Sequence, residues 1–321
     1  LKLTIACDGY DYLAPLKDRE VEAEGIDLNL LTVQSGTRHE RMFRYGEYDA
    51  CEFSMSSYLV ARGRDIDWFQ AIPFFPRRMF GHKFCFIRAG SGFGQPADLQ
   101  GCRIGLRSYE NTLALMVKGM LMHDYGLPVE KVNWVCVNKE LVGSSPPDNI
   151  RIDHLEEKRT LADILLTQEV EAEVEPDLPS EWLKGEKTVE RLFPDFEAEE
   201  RSYYKKTRIF PIMHTVVIKE HILEQAPWVA VSMLQALQKS KELCYRRMRD
   251  PRNLALVWVK EGIQEQEALF GPDPWPYNLE DNRAALEAVV RYEFEQGMVK
   301  KKPPIEDLFF PPSLQGIQHY V

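Results

Sequence analysis

The chain has 321 residues, with 40 basic and 50 acidic side chains, a net charge of -10 and 44% hydrophobic residues. That length favours two domains over one, the apolar content excludes a disordered chain, and the acidic balance excludes the basic face that nucleic-acid binding needs. A small anionic ligand stays open, because a few arginines in a cleft outweigh the average surface field.

Taken in chain order, the first eighty residues alternate strand and helix. Leu1–Ala6 reads as a strand, followed by a loop through Asp8 and Tyr10. Glu24-Gly25 is a turn signal that opens the strand Ile26–Val33, and Thr37–Tyr45 reads as a short helix. Tyr48–Cys51 is a short strand, a serine-rich turn follows, and Ser57–Arg62 is helical. Trp68–Phe75 is a further apolar run bounded by Pro73 and Pro76.

A second unit opens near Phe84. Arg103–Leu106 and Val132–Val137 read as strands, and Asn111–Tyr125 between them is an amphipathic helix closed by Gly126 and Pro128. Leu161–Gln168 is helical and Val170–Val174 a short strand. A strand at Thr215–Ile218 leads into helices Pro227–Met248, Leu254–Leu269 and Leu279–Gln296; Val229, Met233, Ala236 and Leu237 share one face of the first. The tail KKPPIEDLFFPP reads as an extended strap.

Strands alternating with helices predict mostly parallel sheets. The chain crosses outward around Phe84–Arg88 and back around Arg208–Thr215, giving lobes of 1–83 plus 210–321 and of 84–209. Two crossings place the ligand cleft between the lobes and supply a hinge. The fold class expected is α/β: a two-lobed clamp of the type II periplasmic-binding-protein kind. The six cysteines lack CxxC spacing and sit in apolar runs. They read as free thiols, which favours a reducing, cytoplasmic setting. No apolar run reaches the roughly 18 residues of a membrane span, and no signal peptide is read at the start. The oligomeric state is open, a homo-oligomer included.

The runs EGIDLNLL, RMFRYGEYDACEFSMSSYLVAR, AIPFFPRRMFGHKFCFI, RIFPIMHTVVI and DPWPYNLEDNRAALEAVVRYEFEQG together resemble the 4,5-dihydroxyphthalate decarboxylase family, nearly end to end. The resemblance implies a cytosolic enzyme of aromatic-acid breakdown. It would release CO2 from 4,5-dihydroxyphthalate, leave 3,4-dihydroxybenzoate and use no organic cofactor. The acidic segment Glu171–Ser180 departs from the family pattern and bears on what the second lobe contributes. The alternatives are a non-catalytic solute-binding protein for a small carboxylate, and an enzyme of the same fold acting on another carboxylate.

Ring protonation and loss of CO2 need a general acid for carbon, an acceptor for the phenol, and cations or N–H groups for the retained carboxylate. His214 in FPIMHT stands at the cleft edge, and His82 precedes the outward crossing; each is a candidate acid–base group. As a pair they could hold a divalent metal, although no HxH or HxxxH spacing supports one. Glu52 is a candidate base or a partner that raises a histidine's pKa. Arg77 and Arg78 are candidate carboxylate clamps, Arg78 being favoured by the motif match, and Arg107 ends a strand where ligands bind. Ser54, Ser56 and Ser57 precede one helix, and Ser108, Tyr109, Asn111 and Thr112 another. Two facing helix N-termini would suit a dicarboxylate. Asp8 and Tyr10 are further candidates, Tyr10 as a stacking ring. His39, His123, His154, His221 and His319 read as surface. No nucleophile elbow, P-loop or dinucleotide fingerprint is present.

Overall fold

Among the described residues, eleven short strands sort into two sheets according to where the chain crosses. The computed structural model describes all residues except 157, 178–183, 251, 253 and 312–321. The first sheet contains β1 (Lys2–Cys7), β2 (Asp27–Thr32), β3 (Ala50–Ser54), β4 (Phe69–Ile72) and β11 (His214–Lys219), in the order β2-β1-β3-β11-β4. β1 runs parallel to β2 and β3, while the returning β11 is antiparallel to β3 and β4. The second sheet has the order β10-β5-β9-β6-β7-β8, built from β5 (Cys85–Arg88), β6 (Arg103–Leu106), β7 (Asn133–Cys136), β8 (Arg151–His154), β9 (Ala172–Val174) and β10 (Val189–Arg191). There β9, β6, β7 and β8 are parallel, and the outgoing β5 is antiparallel to both its neighbours.

The two crossing segments lie side by side. Arg78 and Ile212 form an isolated antiparallel bridge. Met79 N–H donates to the Pro211 carbonyl at 3.2 Å, and Met213 N–H to the Arg77 carbonyl at 2.8 Å. The two crossings are thus held to each other by backbone hydrogen bonds.

Several elements differ from the sequence reading. β8, β10 and the helix Phe196–Thr207 were not anticipated, because all three are polar and partly exposed and give no clean apolar period. The helix expected from Leu254 starts at Val259. The tail forms a helical turn, Ile305–Leu308, before Phe309 pairs with Ala71; Pro312 lies outside the described residues.

The largest apolar cluster bridges the lobes. It runs from Phe53 and Phe69 through Tyr58 to Leu115, Met116 and Trp134, and on to Leu286 and Val289 of the helix Arg283–Glu295. That helix packs closely on Thr112–Tyr125. A Cβ added at Gly119 would come 2.1 Å from the Tyr292 ring, so only glycine allows this approach. Gly126, in the left-handed region at φ 66°, ends the same helix.

Candidate active site

A cavity of about 870 Å³ lies between the sheets, walled by the carboxyl ends of β3, β6 and β7 and by the returning crossing. Ligands in open α/β sheets bind at such strand ends.

On one wall the pleat of β3 sets the chemistry. Its period of two puts Glu52 and Ser54 on the same face. β11 pairs His214 with Ser54 and Val216 with Glu52, which makes Glu52 and His214 diagonal neighbours. His214 Nδ1 lies 2.5 Å from Glu52 Oε1. The Tyr10 hydroxyl donates to the same oxygen at 2.7 Å, and the Asp8 N–H donates to Oε2 at 2.8 Å. Arg38, from the helix Ser35–Tyr45, places Nη2 3.0 Å from Oε2, with both side chains wholly buried. Its Nε also donates to the Glu52 carbonyl at 2.9 Å.

Burial alone would raise the Glu52 carboxyl. The hydrogen bond and charge of His214, the Arg38 guanidinium and the Tyr10 hydroxyl hold it well below the usual carboxylate range. An ionised carboxylate can only accept. Nδ1 of His214 therefore carries the proton, and Nε2 is the nitrogen available to the cavity. Burial lowers the His214 pKa below its ordinary value; Glu52 opposes this, while Arg77 and Arg38 add to it. His39 packs edge-on against His214, with ring centroids 4.8 Å apart at 82°, and burial keeps it neutral.

Beside this pair, Arg77 lines the cavity, donates from Nε to the Tyr10 oxygen at 3.1 Å and pairs with Asp8. Burial lowers its pKa, but Tyr10, Glu52 and Asp8 outweigh that and the net shift is upward. Lys139 and Lys158 also reach the cavity.

The opposite wall is the N-terminus of Thr112–Tyr125, capped by Asn111, whose side chain accepts from Leu113 N–H at 3.0 Å. The lobes touch there: Ser54 and Thr112 hydroxyls are 2.9 Å apart, and Ser57 donates to Glu110 at 3.3 Å. Two N–H groups at this end are already engaged, since Glu140 accepts from Tyr109 N–H at 2.7 Å and from Glu110 N–H at 3.0 Å. The facing helix ends thus form one polar contact, and the second is not an open anion cradle.

His214, Arg77, Ser54, Ser57, Arg107, Ser108, Asn111 and Thr112 all line this cavity. Glu52, Asp8 and Tyr10 stand directly behind it; Tyr10 stacks on Tyr12 at 5.1 Å and is no platform for a substrate ring. Arg107 is held by Glu175 and Asp177, at 2.5 Å each, which is what the acidic segment does. Residues 178–180 of that segment lie outside the described residues.

Four expected residues are elsewhere. His82 is buried among Tyr125, Phe193 and Tyr203, with neither ring nitrogen hydrogen-bonded among the described residues, and burial lowers its pKa to about 4. It makes no described contact with His214. Its position follows from Tyr203 of the unanticipated helix Phe196–Thr207 together with Tyr125 and Phe193. Arg78 points away from the cleft, between Phe75 and Phe210. Ser56 is buried and donates to Glu293 at 3.0 Å, and Tyr109 is buried beneath Lys118.

Four residues used at the site escaped the sequence reading, among them Lys139 and Lys158, which were not singled out. Arg38 was not singled out, and His39, expected on the surface, is buried. Met42, four residues after Arg38, is wholly buried and marks that helix face as inward; this spacing was the available signal. His319 lies outside the described residues.

The two sheets and the paired crossings define a two-lobed α/β clamp of the periplasmic-binding-protein kind, with a carboxylate–histidine pair at its cleft. Solved structures agree on the fold. The periplasmic aliphatic sulphonate binding protein SsuA from Escherichia coli matches with a TM-score of 0.56 at 14% identity, over 97% of this chain and 92% of that one. A mutant of the desulfurization enzyme DSZB in complex with biphenyl-2-sulfinic acid matches at 0.53 and 16% identity, over 100% and 99%. No family model matches the chain. The 4,5-dihydroxyphthalate decarboxylase of Comamonas testosteroni is 29% identical over 326 residues, 99% of each chain. That of Pseudomonas putida is 32% identical over 211 residues, 64% of this chain and 82% of the relative. The chain belongs to the 4,5-dihydroxyphthalate decarboxylase family.

Proposed function

We propose that this chain is a carboxy-lyase that converts 4,5-dihydroxyphthalate to 3,4-dihydroxybenzoate and CO2 in the interlobe cleft, with His214 as the proton donor to the ring. The observation that carries the mechanism is the Glu52–His214 pair, with Nδ1 fixed on a buried carboxylate and Nε2 left for the cleft, in a chain of this family.

The reaction consumes one proton. His214 as imidazolium gives its Nε2 proton to the ring carbon bearing the departing carboxylate. The ring hydroxyl para to that carbon supplies electron density to the cationic ring. The carbon–carboxylate bond then breaks, its electron pair restores aromaticity and CO2 leaves. Glu52 stabilises the imidazolium before the transfer and fixes the tautomer after it. Arg77, aided by Lys139 and Lys158, holds the carboxylate that stays. A dianionic substrate raises the His214 pKa on binding, which loads the acid when it is needed.

The proposal includes no metal and no organic cofactor. Six free cysteines, five of them buried, support the cytoplasm as its setting. No helix among the described residues is long and apolar enough to cross a membrane.

The test is to mix chelator-treated protein with 4,5-dihydroxyphthalate and follow CO2 and 3,4-dihydroxybenzoate. Product in molar excess over protein is the expected result. A rise in melting temperature with the ligand but no product would return the chain to a binding role, and turnover only after metal is restored would remove the cofactor-free mechanism.

A further inference from the structure

Behind the paired crossings lies a second cavity of about 560 Å³, lined by Arg78, Arg208, Phe210, Phe270, Tyr277 and Asn282 among others. It shares no lining residue with the interlobe cleft.

Arg78 is 9% exposed. Its guanidinium lies 5.7 Å from the Phe75 ring centre and 5.5 Å from that of Phe210, and Nη1 donates to the Phe210 carbonyl at 3.5 Å. Nε and Nη2 have no hydrogen-bond partner among the described residues. Those two nitrogens form one edge of the guanidinium, the edge that takes both oxygens of a carboxylate in parallel. A buried charged donor left without an acceptor is costly, and native structures satisfy such groups.

The same cavity holds two more buried polar atoms without partners among the described residues, the Tyr277 hydroxyl and the Asn282 Oδ1. Oδ1 can only accept, so it calls for a donor such as a hydroxyl group. Phe210, Phe270 and Tyr277 supply the aromatic part of the lining. Arg78, Arg208, Asp273 and Asp281 share the lining; Asp273 is paired with Lys241, which leaves two guanidinium groups against the Asp281 carboxylate. The local balance is therefore positive.

We propose that this cavity is a second binding site, which takes a hydroxylated aromatic monocarboxylate with its carboxylate on the Nε–Nη2 edge of Arg78. Its ring lies against Phe210, Phe270 and Tyr277, and a ring hydroxyl meets Asn282. The site adjoins the paired crossings, because Arg78 is bonded to Arg77 and its backbone pairs with Ile212.

The experiment uses 3-iodo-4-hydroxybenzoate, which carries the carboxylate, the hydroxyl and an anomalous scatterer. Crystals of the full chain are soaked with it, and the same compound is titrated into wild type, Arg78→Met and Arg77→Met in solution. The expected result is an iodine peak in the second cavity, with a binding step weakened roughly tenfold to a hundredfold by Arg78→Met and kept by Arg77→Met. Iodine in the interlobe cleft alone, or nowhere, overturns the proposal. So does a crystal peak whose solution isotherm is unchanged in Arg78→Met. If Arg78→Met does not fold, the wild-type diffraction result decides. No turnover is measured, so the outcome is independent of the decarboxylase reading.

Discussion

Glu52 and His214 meet diagonally across β3 and β11, with Nδ1 2.5 Å from Oε1, inside a shell made by Arg38, Tyr10 and the Asp8 N–H. On the proposed mechanism, removing the imidazole removes the proton donor and leaves Arg77 in place. His214→Ala should lower kcat by about 100- to 10,000-fold, the usual worth of general acid catalysis, with substrate affinity within a few-fold of wild type. Single-turnover assays with a separate binding titration measure both. A kcat close to wild type removes His214 from the chemistry.

The pH profile follows from the direction of the His214 shift. Its pKa in the free protein lies below the ordinary 6.5, chiefly through burial. A group that must be protonated to act is lost as pH rises through its pKa, so kcat/KM should fall with rising pH on a limb centred below 6.5. In Glu52→Gln the raising influence of the carboxylate is lost, and the limb should move to lower pH. A profile that climbs with pH through this range would instead assign His214 as a base.

Arg77 makes the same kind of argument for binding. It is part-exposed to the cleft and positioned by Tyr10 and Asp8. Arg77→Met should weaken substrate binding by about 1.5–3 kcal/mol, the worth of a charged hydrogen bond, seen as a higher KM. An unchanged KM would hand the carboxylate to Lys139 or Lys158.

His82 predicts a stability effect. Its pKa falls from 6.5 to about 4 on folding, mainly by burial. The folded state favours the neutral ring, so the unfolded chain binds more protons between these values. The contribution is present above 6.5 and is lost as pH falls towards 4, by about 3 kcal/mol in all. His82→Phe keeps an aromatic ring among Tyr125, Phe193 and Tyr203 and should flatten this part of the denaturation-versus-pH curve. An equally steep curve in the variant would place the acid sensitivity at another group.

Gly119→Ala tests the contact that ties the C-terminal helix to the second lobe. The added methyl would lie 2.1 Å from the Tyr292 ring. Relief requires the helices Thr112–Tyr125 and Arg283–Glu295 to separate or Tyr292 to leave its rotamer, at a cost of about 1–3 kcal/mol. Urea denaturation reads this directly, and an unchanged midpoint would mean that Tyr292 is free to swing away.

Strand and helix periodicity determined much of this protein before any folding in space. Apolar runs at β1, β2, β6, β7 and β9, punctuated by Gly25 and Gly126, are local signals that a reader can extract from neighbours in the chain. The position of His214 beside a returning strand was legible for the same reason. The polar segments β8, β10 and Phe196–Thr207 were not, because their burial is one-sided and the apolar period is faint. The tertiary structure alone decided which charges meet. Arg77 and Arg78 are adjacent and chemically identical, yet backbone direction at the crossing sends one into the cleft and the other behind it. Glu52 is an ordinary acid in sequence; only the pairing of β3 with β11 and the approach of Arg38 make it a buried anion. His82 looks like a partner for His214 until Tyr125, Phe193 and Tyr203, from three separate segments, enclose it. Local periodicity is set by residues a few positions apart, whereas the electrostatics of a site are set by groups as far apart in the chain as Glu52 and His214, and only the packed lobes bring those within a hydrogen bond.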